Sequence, residues 1–421
     1  MSEGTFRSLR NPSYRTWFAG SLASNIGTWV QRTAQDWLVL TQLTQHNATS
    51  LGVVMALQFG PHIVLLPFTG SAADRFDRRR ILIATQSAMF VLALTLGLLT
   101  LSGGVALWHV YAFALLLGCV TAFDAPASQT FVSELVGDKD LSNAVALNST
   151  SFNVARMVGP AIAGVLLSSV GTGWAFMINA ASYLAVLGAL WALRARARHA
   201  SARAAAKGQG FLEGLRYVRR RPDLCAIFWM LFLIGTFGLN FTIFISTMAV
   251  SVFHEGASRY GLLMSIMAVG TISGSLLAAR RQQPRIEILL TSATVFGAGC
   301  ALAAMMPTYW LFGAALMVIG VSALTFANST NSLLQLGTEP AMRGRVMAMR
   351  LAIALGGTPI GAPIVGWVAD TAGPRWALGV GAASGFAAAA VLLHYLARHR
   401  RLRVRVDAGR LRFQLDPAEA V

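Results

Sequence analysis

The sequence predicts an all-α integral membrane protein of twelve spanning helices arranged as two six-helix halves. Three observations predict it: a mean hydropathy of +0.58, 55% apolar residues in a chain of 421, and a succession of apolar runs of membrane length. Soluble domains carry about 45–50% apolar residues, and one soluble core could not hide the excess. A bilayer's hydrocarbon is about 30 Å thick and a helix rises about 1.5 Å per residue, so about 20 apolar residues span it. Such runs fall at 14–42, 50–72, 81–102, 105–125, 141–170, 174–194, 224–252, 260–279, 286–306, 309–334, 345–369 and 375–397. The ten-residue alternation of a barrel strand is absent. The chain is therefore divided into a first bundle (1–193), a linker (194–223), a second bundle (224–397) and a basic tail (398–421).

The first run carries Gln31, Arg32, Gln35 and Asp36. Arg32 and Asp36, four apart, share one helix face. An intramembrane charge costs at least about 2.5 kcal/mol on insertion scales, so such groups face an aqueous cavity or each other. Asp36 is the first candidate for proton coupling, and Arg32 and Gln35 are candidate cavity residues; a structural ion pair near the helix end is the other reading. The second run adds Gln58 to the cavity set and, at Pro61-His62, a second proton carrier, because imidazole titrates near neutral pH.

Between the second and third runs lies a charged knot, Gly70-Ser-Ala-Ala-Asp74-Arg75-Phe-Asp77-Arg78-Arg79-Arg80. Its arginines fix topology, but Asp74 adds nothing to that. At the end of the second helix it could reach the N-terminus of a facing helix, where free N–H groups favour an anion. Arg75, Arg78 and Arg79 are expected to pair with Asp124 at the end of the fourth run, and the whole to act as a conformational lock.

The fifth run places Arg156 in the cavity, with a pair to Asp124 as the alternative, and then Gly159-Pro160-Ala-Ile-Ala-Gly164. There small residues permit close helix approach and the proline bends the helix. Asn179, Asn240 and Asn328 are the remaining cavity candidates in the sixth, seventh and tenth runs. In the linker, Phe211, Leu212, Leu215 and Val218 form one stripe at helical spacing, the pattern of an amphipathic helix on an anionic leaflet. Trp17, Trp37, Trp108, Trp174, Trp310 and Trp376 fall near run ends as an interfacial belt requires, leaving Trp29 and Phe59 as stacking positions for cargo.

The net charge of +17 does not indicate nucleic acid. Of the 34 Lys and Arg, Arg259 and Arg375 occupy the loops on one face, Arg32 and Arg156 lie within runs, and the remaining 30 lie at or near the other face. That asymmetry places both termini in the cytoplasm. Cys119, Cys225 and Cys300 are isolated, which suits buried thiols. Met1–Tyr14 is polar, so no cleavable leader is expected. No nucleotide loop, metal motif or nucleophile elbow appears. The chain is expected not to be an enzyme and to need no cofactor or metal.

The halves resemble each other. Gly159-Pro160-Ala-Ile-Ala-Gly164 with Trp174 parallels Gly361-Ala-Pro363-Ile-Val-Gly366 with Trp376, and Leu51-Gly52-Val-Val-Met55 parallels Tyr260-Gly261-Leu-Leu-Met264. A parallel six-helix repeat is the architecture of transporters that rock two bundles about a midplane site. The knot resembles the loop signature of the major facilitator superfamily, Gly-x-x-x-Asp-Arg-x-Gly-Arg-Arg/Lys-Arg/Lys, with Asp77 replacing the usual glycine. Asn11-Pro-Ser-Tyr-Arg, Trp37-Leu-Val-Leu, Glu134-Leu-Val and Asn143-Ala-Val-Ala-Leu-Asn resemble its third drug:proton antiporter group, which includes enterobactin exporters and macrolide efflux proteins. The resemblance implies that Asp74 caps the eleventh helix near Arg345 and that Gly159, Pro160 and Gly164 form an antiporter-like bend. It also implies a monomeric secondary exporter of amphiphilic small molecules in a bacterial inner membrane, exchanging cargo for protons. A proton-coupled importer and a non-transporting scaffold or sensor on the same fold are the alternatives.

Overall fold

The computed structural model describes residues 6–65, 68, 69, 76–193, 211–279, 285–399, 402–407 and 410–415. Gly70, Asp74 and Arg75, with most of the linker, lie outside the described residues. The helices are α1 (Pro12–Trp37), α2 (Ala48–Val64), α3 (Arg78–Leu101), α4 (Leu107–Leu135), α5 (Asp138–Ser169) and α6 (Thr172–Ala192). They continue with α7 (Phe211–Arg219), α8 (Pro222–Leu233), α9 (Phe241–Thr247), α10 (Ala257–Ala279), α11 (Ile286–Met305), α12 (Tyr309–Gly337), α13 (Pro340–Thr371) and α14 (Pro374–His399). With α8 and α9 as one broken span, twelve helical segments correspond to the twelve runs.

Among the described residues nine helices are long and apolar enough to cross a membrane. The described part of α2 falls short on length, at 17 residues. Among the described residues the one departure from all-α structure is a C-terminal hairpin, β1 (Leu402–Asp407) paired antiparallel with β2 (Arg410–Leu415). It falls in the expected tail, where Leu-Arg-Val-Arg-Val alternates at strand period.

Local signals set the helix ends. Asn11 caps α1, accepting from the backbone N–H of Ser13 at 2.9 Å and Tyr14 at 3.3 Å, while Pro12 takes the first helical position, where an N–H would be orphaned anyway. Asp77 caps α3, accepting from Arg80 N at 3.0 Å. An acid where the superfamily pattern has glycine thus has a local use. Gly171 and Gly373 close the connections before α6 and α14 at φ +85° and +101°, a region that glycine enters without a Cβ penalty. They stand 202 positions apart, the same offset as Gly159 and Gly361.

Contacts group the chain into two compact units. One is Met1–Lys207 with Phe241–Ala268 and Pro359–Pro374; the other is Gly208–Asn240, Val269–Thr358 and Arg375–Val421. The division departs from the bundle boundaries expected at the linker, because parts of α9, α10 and α13 pack within the first unit.

The arginine-rich end of the first unit is tied by polar and aromatic contacts. Trp17 meets Phe131 edge-on at 5.1 Å, and the buried Tyr14 hydroxyl donates to Ala144 O at 2.8 Å. Asn11 Nδ2 donates to Leu135 O at 2.8 Å, and Ser8 N to Asn143 Oδ1 at 3.0 Å. Arg7 pairs with Asp140 and Arg78 with Glu134, each at 3.0 Å. Trp17 is therefore a core residue rather than part of an interfacial belt, whereas Trp108, Trp174, Trp310 and Trp376 are exposed at helix starts, as the belt requires.

In the second unit, glycines set the helix approach. Gly270 and Gly274, four apart on α10, face the backbone of Met317 and Val321 on α12, and a Cβ on either would lie 2.9 Å from the opposing Cα. Helix α7 packs by Gly214 against Arg345 and Met349 of α13, and Glu213 pairs with Arg345 at 3.2 Å. Val218 of its expected lipid-facing stripe is buried in the protein, while Leu215 is exposed.

Candidate functional site

A polar cluster inside the first unit collects most of the candidate residues. It is built on consecutive turns of α1, on the second half of α2 and on the middle of α6. Gln31, Gln35, Gln58 and Asn179 are all buried. Asn179 Nδ2 donates to Gln31 Oε1 at 2.5 Å and to the Tyr183 hydroxyl at 3.3 Å. The Tyr183 hydroxyl also meets Thr28 Oγ1 at 3.2 Å. These bonds join α1 to α6, so Asn179 orients Gln31 and does not stand free in the cluster.

Arg32 occupies the centre. Its guanidinium carbon lies 5.2 Å from the Trp29 ring centre and 5.3 Å from that of Phe59, within the roughly 6 Å range of a cation–π contact. The i, i+3 spacing puts Trp29 beside Arg32 on α1; α2 supplies the second ring. Both rings expected to stack cargo are thus engaged by a resident cation. Arg32 Nε and Gln35 Nε2 are buried donors without a hydrogen-bond partner among the described residues.

Asp36 lies one turn beyond, and among the described residues no ion pair within 4 Å joins it to Arg32. Beyond it the buried Tyr260 stacks on Trp37, the neighbour of Asp36, at 5.9 Å. His62 sits under Phe59 at 6.2 Å, with Nε2 at 3.5 Å from Thr121 Oγ1 and a buried Nδ1 that has no partner among the described residues. Arg156 on α5 is partly buried, and Gly159 one turn later brings α5 against Trp29 of α1. Pro160 and Gly164 continue that contact line onto α10, where a Cβ on Gly261 would lie 2.9 Å from Gly164 Cα.

Two pairings differ from expectation. Arg78 meets Glu134, and Arg79 Nε donates to Leu190 O at 2.8 Å. Asp124 instead accepts from Thr85 Oγ1 at 2.6 Å and Gln86 Nε2 at 3.0 Å. The reason is length: α4 runs on to Leu135, so its end is at Glu134 and Asp124 lies about three turns inside. Asp124 is therefore a carboxylate inside α4, held by α3, rather than one at a helix end. No ion pair joins Arg156 to Asp124 among the described residues.

Asn240 and Asn328 belong to the second unit. Asn240 Nδ2 donates to Thr236 O at 2.7 Å across the break between α8 and α9, where π-helical turns at Ile234–Gly238 and Met248–Val252 flank the span. Arg350 on α13 was missed by sequence reasoning, lying in the basic start of its run; its Nε is buried without a hydrogen-bond partner among the described residues.

Twelve helical segments among the described residues, with an internal repeat that shares glycine positions, fit a membrane transporter of the major facilitator fold, and the family and relatives that match are transporters rather than enzymes. The chain belongs to the transmembrane secretion effector family, whose profile matches residues 3–409. It is 25% identical over 360 residues to the staphyloferrin A transporter of Staphylococcus aureus, covering 85% of this chain and 89% of that one. It is 26% identical to the multidrug efflux pump Tap of Mycolicibacterium fortuitum, covering 86% and 90%, and 24% identical to the enterobactin exporter EntS of Escherichia coli, covering 85% of each. In structure it is similar to a bacterial homologue of the human lysosomal transporter Spinster in an inward-facing, occupied conformation, with TM-score 0.73, 14% identity, and 91% and 97% of the two chains covered.

Proposed function

We propose that this chain exports amphiphilic small molecules across a bacterial inner membrane in exchange for protons, and that its preferred cargo is zwitterionic. The termini are cytoplasmic, the transporting unit is one chain, and its partners are the small-molecule cargo, protons and the bilayer. The observation that carries this reading is Arg32 held over Trp29 and Phe59, one helical turn from Asp36. The two aromatic faces that would attract a lipophilic cation are already engaged by a cation. What Arg32 offers to cargo is positive charge and donors for a carboxylate or phenolate.

The sign of coupling follows from Asp36. A purely anionic cargo at Arg32 gains affinity when Asp36 is protonated, because the competing carboxylate is then neutral. Proton and anion would bind together, which is symport. A zwitterion seats its anionic end at Arg32 and its cationic end at Asp36, and there it excludes the proton. Mutual exclusion at one carboxyl is what antiport requires. His62 and Asp124 are the other groups in the first unit that could carry a proton.

Inverted vesicles with an acidic lumen test the reading. Accumulation of a zwitterionic fluoroquinolone such as norfloxacin, lost in Asp36→Asn and in Arg32→Gln, is the expected result. Uptake of ethidium in preference to norfloxacin would overturn it. The second reading, a proton-coupled importer, is favoured by the same Arg32–Asp36 spacing when the cargo is purely anionic. It predicts that carboxyfluorescein moves in the same direction as protons.

A further inference from the structure

The end of the first unit away from the arginines carries a contact that the cargo site does not use. Asp370, next to last in α13, accepts three hydrogen bonds from the start of α2. The donors are Ala48 N at 2.7 Å, Thr49 N at 2.8 Å and Thr49 Oγ1 at 2.5 Å. The following N–H, of Ser50, is taken by Asn47 Oδ1 at 2.7 Å. The first three donors of α2 are thus satisfied, two of them by an acid about 320 positions along the chain. A carboxylate there also meets the positive end of the helix dipole.

The same two helices interlock just beyond the cap. A Cβ on Gly52 would meet the Ala362 carbonyl and lie 2.8 Å from Pro363 Cα, and a Cβ on Gly366 would lie 2.9 Å from Thr49 Cα. Close packing of this kind holds only while the backbones touch. The carboxylate cap is likewise all or nothing: a small separation breaks all three bonds together.

We propose that Asp370 is a latch, a positioning residue that holds the α2–α13 contact closed in one transport state and releases it in the other. The inference rests on the alternating-access reading above. The sequence supplies the matching device at the other ends of the same helices, since Asp74 is expected to cap the start of the eleventh helix.

Hydrogen–deuterium exchange of the full chain in lipid nanodiscs tests it, read by mass spectrometry alongside norfloxacin flux. In Asp370→Asn and Asp370→Ala, exchange is expected to rise about three- to tenfold over 48–55, 257–264 and 359–368. It should fall over 78–86 and 130–140, because opening one end closes the other. Thr49→Val should give a smaller shift of the same pattern and Asp370→Glu should restore the original one. Gly366→Leu, which keeps the acid but blocks the approach, should reproduce the reciprocal change. A rise confined to 48–50, or no change at all, would overturn the latch. Reciprocal exchange without norfloxacin flux would leave the latch standing and sink the cargo assignment instead.

Discussion

The two ends of the first compact unit are held by different chemistry. At the arginine-rich end, ties run among α1, α3, α4, α5 and α6 through ion pairs, buried hydroxyls and an aromatic core around Trp17, Phe131 and Tyr14. At the other end, α2 meets α13 and α5 meets α10 through glycines set against backbone, with one carboxylate cap. The first kind of contact is redundant and interdigitated, so losing one tie leaves the others. The second is smooth and sparse, so two surfaces can part without leaving a cavity in either. A transporter needs both: a bundle that moves as one body and a joint that opens.

Substitutions can break or sharpen that contrast. The largest effect is expected from Trp17→Ala, which empties a core position at the arginine-rich end and costs about 3–5 kcal/mol. Thermal unfolding and flux should fall together. Gly52→Leu should come next and behave in the opposite way. A side chain there must displace the backbone of Ala362 and Pro363, destabilising the closed joint by roughly 1–3 kcal/mol. Flux should drop while the thermal midpoint of the bundle stays near its original value. A midpoint that falls as far as in Trp17→Ala would mean that the joint is scaffold.

Arg78→Gln should cost about 1–3 kcal/mol, because it removes a charged hydrogen bond to the partly buried Glu134, and Glu134→Gln should cost less on top of it than alone. The smallest change, about 1 kcal/mol, is expected from Asn11→Ala, which removes the cap of α1. Thermal denaturation in one detergent measures both.

Much of this fold was legible because bilayer crossing leaves a strong signature: each apolar run has a helix, and each Gly-Pro stretch lies where its helix meets a neighbour, α5 against α10 and α13 against α2. What was not legible is tertiary. Phe59 was singled out as a stacking ring, but nothing local shows that Arg32 of another helix lies over it. Asp370 falls just past the run at 345–369 and carried no local signal, since its partner is distant in the chain. Asp124 was placed at a helix end because hydropathy falls after 125, although Pro126, Ser128 and Gln129 continue the helix. The π-helical turns at 38–43, 234–238 and 248–252 left no usable mark, because an apolar run reads the same whether its bonds skip four residues or five.

The central claim is that Arg32 and Asp36 together read a zwitterion and exclude a proton. The most direct measurement is binding to the purified chain, as pH falls from 8 to 5, of a zwitterion with an aliphatic carboxylate and a quaternary ammonium, neither of which titrates in that range, monitored by quenching of tryptophan emission. Affinity should weaken as pH falls in the original protein and lose that dependence in Asp36→Asn. Arg32→Gln should weaken binding at every pH. Affinity that strengthens on acidification, or stays unchanged in Arg32→Gln, would contradict the account.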